Sequence, residues 1–292
     1  MSDQCLICQQ EMTWQKVFDT PDNTLKETYT ILECPHCQIK KTSPVPEDLS
    51  KFYPVTYFDK PQNRIFYYAK GILIDYELKR IRRFTKAKAF LDIGAGWGDF
   101  SLKAYLDGNS VVAADNSPLR PYYLRDYPEI PYIHFNYEPL NIAEPQHIKN
   151  KIVVLRHVLE HVRDPRAFLN FFVSHQADYF YIVIPNASCL ERKVFRQYDS
   201  FWYPPYHLWH FNKNSLKTLL ENLGLNIVTM GFDTIPTILP HVYFYMRAKK
   251  YPQFIINLLE PTGGKVALTI PLNLFFPNNV LWAIAKIKKA EN

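Results

Sequence analysis

The run AFLDIGAGWGDF, residues 89–100, holds the residues best suited to grip a small ligand. An apolar stretch over 89–91 leads into Asp92. Glycines then stand at alternate positions, Gly94, Gly96 and Gly98, before helical spacing resumes through Phe100, Leu102, Ala104 and Tyr105. That order reads as strand, tight turn, helix. Glycine serves where the backbone takes positive φ and a ligand must approach with no Cβ in the way. A second apolar run, 110–114, ends in Asp115, 21 residues after Gly94. A carboxylate at the tip of the second strand of a βαβ unit can accept hydrogen bonds from a ribose.

The spacing separates this loop from the dinucleotide fingerprint G-x-G-x-x-G, whose third glycine would fall on Asp99. Asp92 and Asp99 would repel a pyrophosphate. A cationic sulfonium with a zwitterionic amino-acid tail suits them better. The run resembles motif I of the class I S-adenosylmethionine (SAM) methyltransferases. The resemblance implies that Asp92, Gly94, Ala95, Gly96, Trp97 and Gly98 wrap the methionine and ribose. It further implies that Asp115, with Asn116 beside it, holds the ribose end.

A second constellation could take a metal. Cys5 and Cys8 form one C-x-x-C pair and Cys34 and Cys37 another, with 25 residues between the pairs. Two such turns present four thiolates to one tetrahedral ion and leave no open position, so the zinc would be structural. The intervening residues are strand-like, with a turn at Pro21-Asp22-Asn23. That is the pattern of a zinc ribbon, with too little core to fold without metal. Gln9 and Gln38 stand after the second cysteine of each turn, where glycine is common. Cys189 stands alone and reads as a small buried residue.

Histidines supply candidates for proton transfer. Residues 153–165, VVLRHVLEHVRDP, contain an H-x-x-E-H match to an inverted zinc-protease pattern. That chemistry needs a long helix, whereas here the motif follows a strand directly and Asp164-Pro165 is expected to stop helical geometry. The run is similar to the H-V-L-E-H-V-x-D-P segment of the methyltransferases, which implies that the backbone near Arg156 and His157 lines the methionine of SAM. Glu160 and His161 read as structural. A second stretch, FWYPPYHLWHFNKNSL over 201–216, resembles the P-x-H-x-x-x-F-S type segment of the same family. Aligned on Phe211, His207 matches the histidine base of sugar C-methyltransferases. Their glutamate and tyrosine positions hold Tyr206 and Pro204 here. His207 is therefore the expected general base, since a near-neutral histidine can deprotonate a hydroxyl or an enolisable carbon. Tyr206, His210 and, from the aromatic linker, Tyr57 are candidate substrate contacts.

These residues need an α/β scaffold. The spacing predicts a helix over 65–84. It predicts strands near 89–92, 110–114, 131–135, 151–156, 179–184, 225–232 and 279–287. A helix before the sixth strand should be capped by Asn214 or Ser215 and stopped by Gly224. The expected fold is a Rossmann-like seven-stranded methyltransferase sheet, last strand antiparallel, with a small N-terminal zinc ribbon. The expected domains are a ribbon over 1–45, a linker and helix over 46–88, and a methyltransferase domain over 89–292 with a helical insertion at about 233–278. The C-x-x-C, the proline stretch and the tyrosine-rich segment FYPVTYF are similar to those of bacterial zinc-ribbon methyltransferases.

Composition bounds the partners. Apolar residues make up 47% and charged residues 21%, which is ordinary for a globular chain. The net charge of +6 tolerates an anionic small-molecule acceptor, and no basic block argues for nucleic acid. No apolar run reaches the length of a membrane span and no signal peptide is evident, so a cytoplasmic location is expected, and residues 233–278 read as local core rather than as a face for a lipid or partner, with no peripheral membrane contact expected. The implied activity is transfer of a methyl group from SAM to an O or C nucleophile of a small molecule, such as a nucleotide-linked sugar. The rivals are an RNA or protein methyltransferase that uses the ribbon for recognition, and a non-catalytic SAM-fold binding protein.

Overall fold

The computed structural model describes residues 3–49, 64–137, 140–141, 147–261, 265 and 270–288. Most of the proline-rich linker, including Tyr57, lies outside the described residues. The chain forms two compact units. One gathers Met1–Leu49, Ile184–Leu219 and Gly231–Trp282, and the other gathers Ser50–Val183, Leu220–Met230 and Ala283–Asn292.

The first unit begins with a ribbon. β1 (Asp3–Gln4) and β2 (Glu11–Met12) pair across the first cysteine turn. β3 (Gln15–Pro21), β4 (Thr28–Glu33) and β5 (Lys40–Ser43) form an antiparallel meander. Ile7, Ile31 and Ile39 are fully buried there, so the apolar face of the ribbon is small.

The other unit carries α1 (Arg64–Phe84), β6 (Ala89–Ile93), α2 (Asp99–Leu106), β7 (Ser110–Asp115) and β8 (Tyr132–His134). The two-stranded β9 (Asn136–Tyr137) and β10 (Leu140–Asn141), then β11 (Ile152–Arg156), α3 (Pro165–Ser174) and β12 (Tyr179–Pro185) follow. α4 (Leu190–Phe195), β13 (Trp209–His210) and most of α5 (Lys213–Asn222) belong to the first unit, and after them come the last two long strands, β14 (Leu225–Asp233) and β15 (Val280–Ile287). The main sheet runs in the order β14-β15-β12-β11-β6-β7-β8. Its central pairs, β12 with β11, β11 with β6, β6 with β7 and β7 with β8, are parallel. Strands buried on both faces read as unbroken apolar runs. Here Val111 to Ala114, Ile152 to Leu155 and Phe180 to Ile182 are all buried. Order reverses between β6 and β11, where α/β sheets place ligands outside the carboxyl ends of the strands.

Two local readings are corrected, and one strand not predicted from the sequence is added. Asp164-Pro165 starts a helix rather than stopping one: Asp164 accepts the Ala167 N–H at 2.8 Å as N-cap, and Pro165 takes the first helical position, where its missing N–H costs nothing. The cap of α5 is Asn212, not Asn214 or Ser215. Asn212 Oδ1 accepts from Ser215 N at 2.8 Å while Ser215 Oγ accepts from Asn212 N at 3.0 Å, a reciprocal cap. The 201–216 stretch supplies a strand: β13 pairs antiparallel with β5, with Trp209 opposite Lys41 and His210 opposite Lys40. Between β14 and β15 lie α6 (Ile238–Ala248), α7 (Gln253–Leu258) and a helical turn, Ile270–Asn273. No helix among the described residues is long and apolar enough to cross a membrane.

Candidate functional site

The loop after β6 turns through three positive-φ glycines, Gly94 (+71°), Gly96 (+55°) and Gly98 (+84°). A Cβ on Gly98 would lie 2.7 Å from Leu124 Cγ, so packing as well as conformation demands glycine there. The loop amides are bonded inward. Gly94 and Ala95 donate to the Ala114 carbonyl at 2.8 and 3.1 Å, Gly98 donates to Ala95 at 2.8 Å, and Gly96 donates to Asp115 Oδ2 at 2.8 Å. A phosphate-binding loop aims these donors at its anion, so this loop is not built for a pyrophosphate.

Asp115 ends β7, buried, with Oδ1 accepting from Ser117 N at 3.1 Å. Burial pushes its carboxyl above the ordinary range, against the backbone donors that favour the charged form. Each carboxylate oxygen has a second lone pair, so the group retains acceptor capacity for hydroxyls. Asn116, next in sequence, is exposed, and its carbonyl meets His134 Nε2 at 3.1 Å.

Asp92 points into the interior, where it accepts from Ser101 Oγ at 2.6 Å and ties β6 to α2. Burial pushes its carboxyl up to about 7. A raised carboxyl holds its proton longer folded than unfolded. Its contribution to stability is therefore full below about pH 4 and lost as pH rises through about 7. Asp92→Asn keeps the shape and cannot ionise. Its melting temperature relative to wild type should rise between pH 4 and pH 8 by several degrees, for a shift worth a few kcal/mol. A constant difference across that range, read by calorimetry, would contradict the assignment.

Asp99 is engaged by cations. Lys70 of α1 makes an ion pair with it, and Arg156 at the end of β11 lies 3.7 Å away. These charges hold its carboxyl below the usual range despite burial. Arg156 also pairs with the buried Glu77 of α1 at 2.9 Å, and Lys70 Nζ stands 4.8 Å from the centre of the Trp97 ring. α1, the helix ahead of β6, is thus pinned to the glycine loop through Lys70, Asp99, Arg156 and Glu77. Sequence reading missed Lys70 and Glu77. The available signal was Glu77 sitting in the apolar stripe of Ile74, Leu78 and Ile81, where an ion would be expected only if paired. His157 follows with φ of +55°, its N–H bonded to Val183 O at 2.8 Å and its half-exposed ring 3.3 Å from Glu160.

In the other unit the ring of His207 is buried, and its Nδ1 lies 2.8 Å from the Phe201 carbonyl. A carbonyl only accepts, so Nδ1 carries the proton and Nε2 is the basic atom. Tyr206 stacks on Tyr203 with ring centres 4.5 Å apart, and Tyr203 meets His207 edge-on at 5.4 Å. His210 is assigned the opposite tautomer. Thr42 Oγ1 gives its one proton to the His207 carbonyl at 2.7 Å and so accepts from His210 Nε2 at 3.0 Å. Burial, with Arg192 and Lys40 adding to it, holds the His210 ring well below its usual pKa.

The four ribbon cysteines converge. Their sulfurs all lie within 4.8 Å of one another, with Cys5 to Cys37 and Cys8 to Cys34 both at 3.8 Å. A disulfide would need about 2.05 Å. A tetrahedron of sulfurs about 2.3 Å from a central ion has edges of about 3.8 Å, so the set fits such an ion. Gln9 and Gln38 take φ of +61° and +60°, the conformation that makes glycine common there.

A family model described as a methyltransferase domain matches residues 68–230. No curated protein matches the sequence. Among solved structures, the phospholethanolamine N-methyltransferase 2 of Haemonchus contortus is 16% identical, covering 86% of this chain and 63% of its own, with a TM-score of 0.50. A SAM-dependent methyltransferase from Archaeoglobus fulgidus is 18% identical over 82% of this chain and 100% of its own, with a TM-score of 0.46. At 16% identity the likeness to the Haemonchus contortus structure is one of fold alone. The family match spans more than half of the sequence and includes the glycine loop, Asp115 and the β11 tip, so the chain belongs to the methyltransferase-domain family.

Proposed function

We propose that this protein transfers a methyl group from SAM to an O or C nucleophile of a small molecule, and that zinc on Cys5, Cys8, Cys34 and Cys37 holds its ribbon. The observation that carries the reading is the loop of 94–98. The amides of Gly94, Ala95, Gly96 and Gly98 are spent inward, and a buried carboxylate, Asp115, stands beside the loop at the tip of the neighbouring strand. An uncharged or cationic ligand with ribose hydroxyls suits such a loop, and a phosphate does not.

In this reading Gly94, Ala95, Gly96, Trp97 and Gly98 pass around the methionine and ribose. Asp115 accepts from the ribose hydroxyls, with Asn116 next to it. Asp92 braces the loop through Ser101, and the backbone at Arg156 and His157 lines the methionine. The reaction is in-line attack by the acceptor on the methyl carbon, and most of the rate comes from holding the two partners close and aligned. His207 takes the acceptor's proton on Nε2, while Tyr206, His210 and Tyr57 are proposed to contact the acceptor. A nucleotide-linked sugar or another biosynthetic intermediate is the acceptor class in this reading, the sugar on the resemblance of the ribbon and the His207 segment, from which Tyr206 and Pro204 depart.

Asp115→Ala tests the cofactor assignment. A hydrogen bond to a charged group is worth ~1.5–3 kcal/mol, so SAM affinity measured by calorimetry should fall at least about tenfold. An unchanged Kd removes Asp115 from the cofactor site. Screening SAM consumption against nucleotide sugars, quinols and phenolic acids would identify the acceptor.

A further inference from the structure

The segment between β14 and β15 exposes apolar side chains that neither the fold nor methyl transfer requires. On α7, Ile256 faces inward and is buried, while Phe254 and Leu258, four residues apart on one face, are 68% and 67% exposed. Just past the turn Ile270–Asn273, Leu274 and Phe275 are 76% and 73% exposed. Single exposed apolar residues are ordinary, but a pair of large ones on one face of α7, with a second adjacent pair just past the turn, calls for a partner.

The charge around them identifies what it meets. From Thr234 to Asn279 the bases are Arg247, Lys249, Lys250 and Lys265, and the one acid is Glu260. Lys249 and Lys250 are exposed immediately ahead of α7, and Lys265 reaches the Asn257 carbonyl on α7 at 3.4 Å. We propose that this segment is a peripheral docking surface for an anionic lipid bilayer, with Phe254, Leu258, Leu274 and Phe275 entering the headgroup–acyl boundary and the lysines meeting the anionic headgroups. Apolar insertion combined with basic flanks is how interfacial elements hold membranes. A second copy of this chain suits the surface poorly, because a two-fold contact sets each basic rim against its like. The inference goes beyond methyl transfer and stands or falls apart from it.

Flotation of the full chain with vesicles tests it, using phosphatidylcholine alone and phosphatidylcholine with about 30 mol% phosphatidylserine. Wild type should float with the anionic vesicles, far less with the neutral ones, and less as salt rises. Each lysine near such a surface contributes about fivefold in partitioning, so Lys249→Glu with Lys250→Glu should lower binding at least ~10-fold. Phe254→Ser with Leu258→Ser should lower it by a similar factor, and Leu274→Ser with Phe275→Ser gives a second, independent pair. Unchanged melting temperatures and circular dichroism would show that the variants fold. The proposal is overturned if wild type stays unbound to anionic vesicles at about 0.1 M salt. It is also overturned if folded apolar variants float as well as wild type, or if sedimentation shows a dimer that the Phe254/Leu258 variant dissolves while no form binds vesicles.

Discussion

His207→Ala is expected to lower turnover by ~10²–10⁴-fold while SAM affinity stays nearly intact, the usual scale for a lost general base. The chemical ground is the tautomer. Nδ1–H is held by the Phe201 carbonyl, which makes Nε2 the basic atom. The neighbouring His210, proposed to contact the acceptor but not to take its proton, is the comparison: it spends its Nε2–H on Thr42, and burial disfavours its protonated form. His210→Ala should therefore cost less in turnover, and its effect should appear mainly as lost stability around β5 and β13. The measurement needs the true acceptor or a slow surrogate, with chemistry limiting the rate. If His207→Ala keeps more than half of wild-type turnover, the proton leaves by another group. Tyr57, which lies outside the described residues, is then the next to substitute.

What was legible in the sequence is what short-range chemistry dictates. Three alternating glycines after an apolar run must turn tightly, and all three take positive φ. Runs such as VVAA and IVVL had to be interior parallel strands because nothing in them tolerates water on either face. Two C-x-x-C turns brought four sulfurs together as their spacing implied. The rest depended on partners distant in the chain. Asp99 was read as a group facing the ligand, yet it is held by Lys70, 29 residues earlier, and Arg156, 57 residues later, and no local pattern announces such pairs. β13 is two residues long and exists because β5 offers an edge, so no period could reveal it. The caps at Asn212 and Asp164 were missed differently. Both residues have the right chemistry, but several neighbours had it too, and backbone geometry chose among them.

Cys34→Ser is expected to abolish metal binding and unfold the ribbon. Elemental analysis of protein purified without added metal should find one zinc per wild-type chain and none in the variant. Structural zinc contributes roughly 10–16 kcal/mol to the folding of comparable modules, far more than the few buried isoleucines of this ribbon can replace. Serine is smaller and a poorer ligand, and it would leave three thiolates packed around an incomplete shell. The damage should not stop at the first 45 residues. β5 belongs to the ribbon and carries β13 on its edge, and Thr42 holds both the His207 carbonyl and the His210 ring. Loosening β5 therefore loosens the segment that fixes the proposed base. Turnover should fall in Cys34→Ser even though residue 34 has no part in the chemistry. SAM affinity, which rests on residues 92–116 and the β11 tip in the proposed reading, should change much less. Limited proteolysis should cut the variant within the ribbon before any other region. A metal-free protein whose ribbon resists protease as wild type does would show that the four thiols are packing groups and not a zinc site.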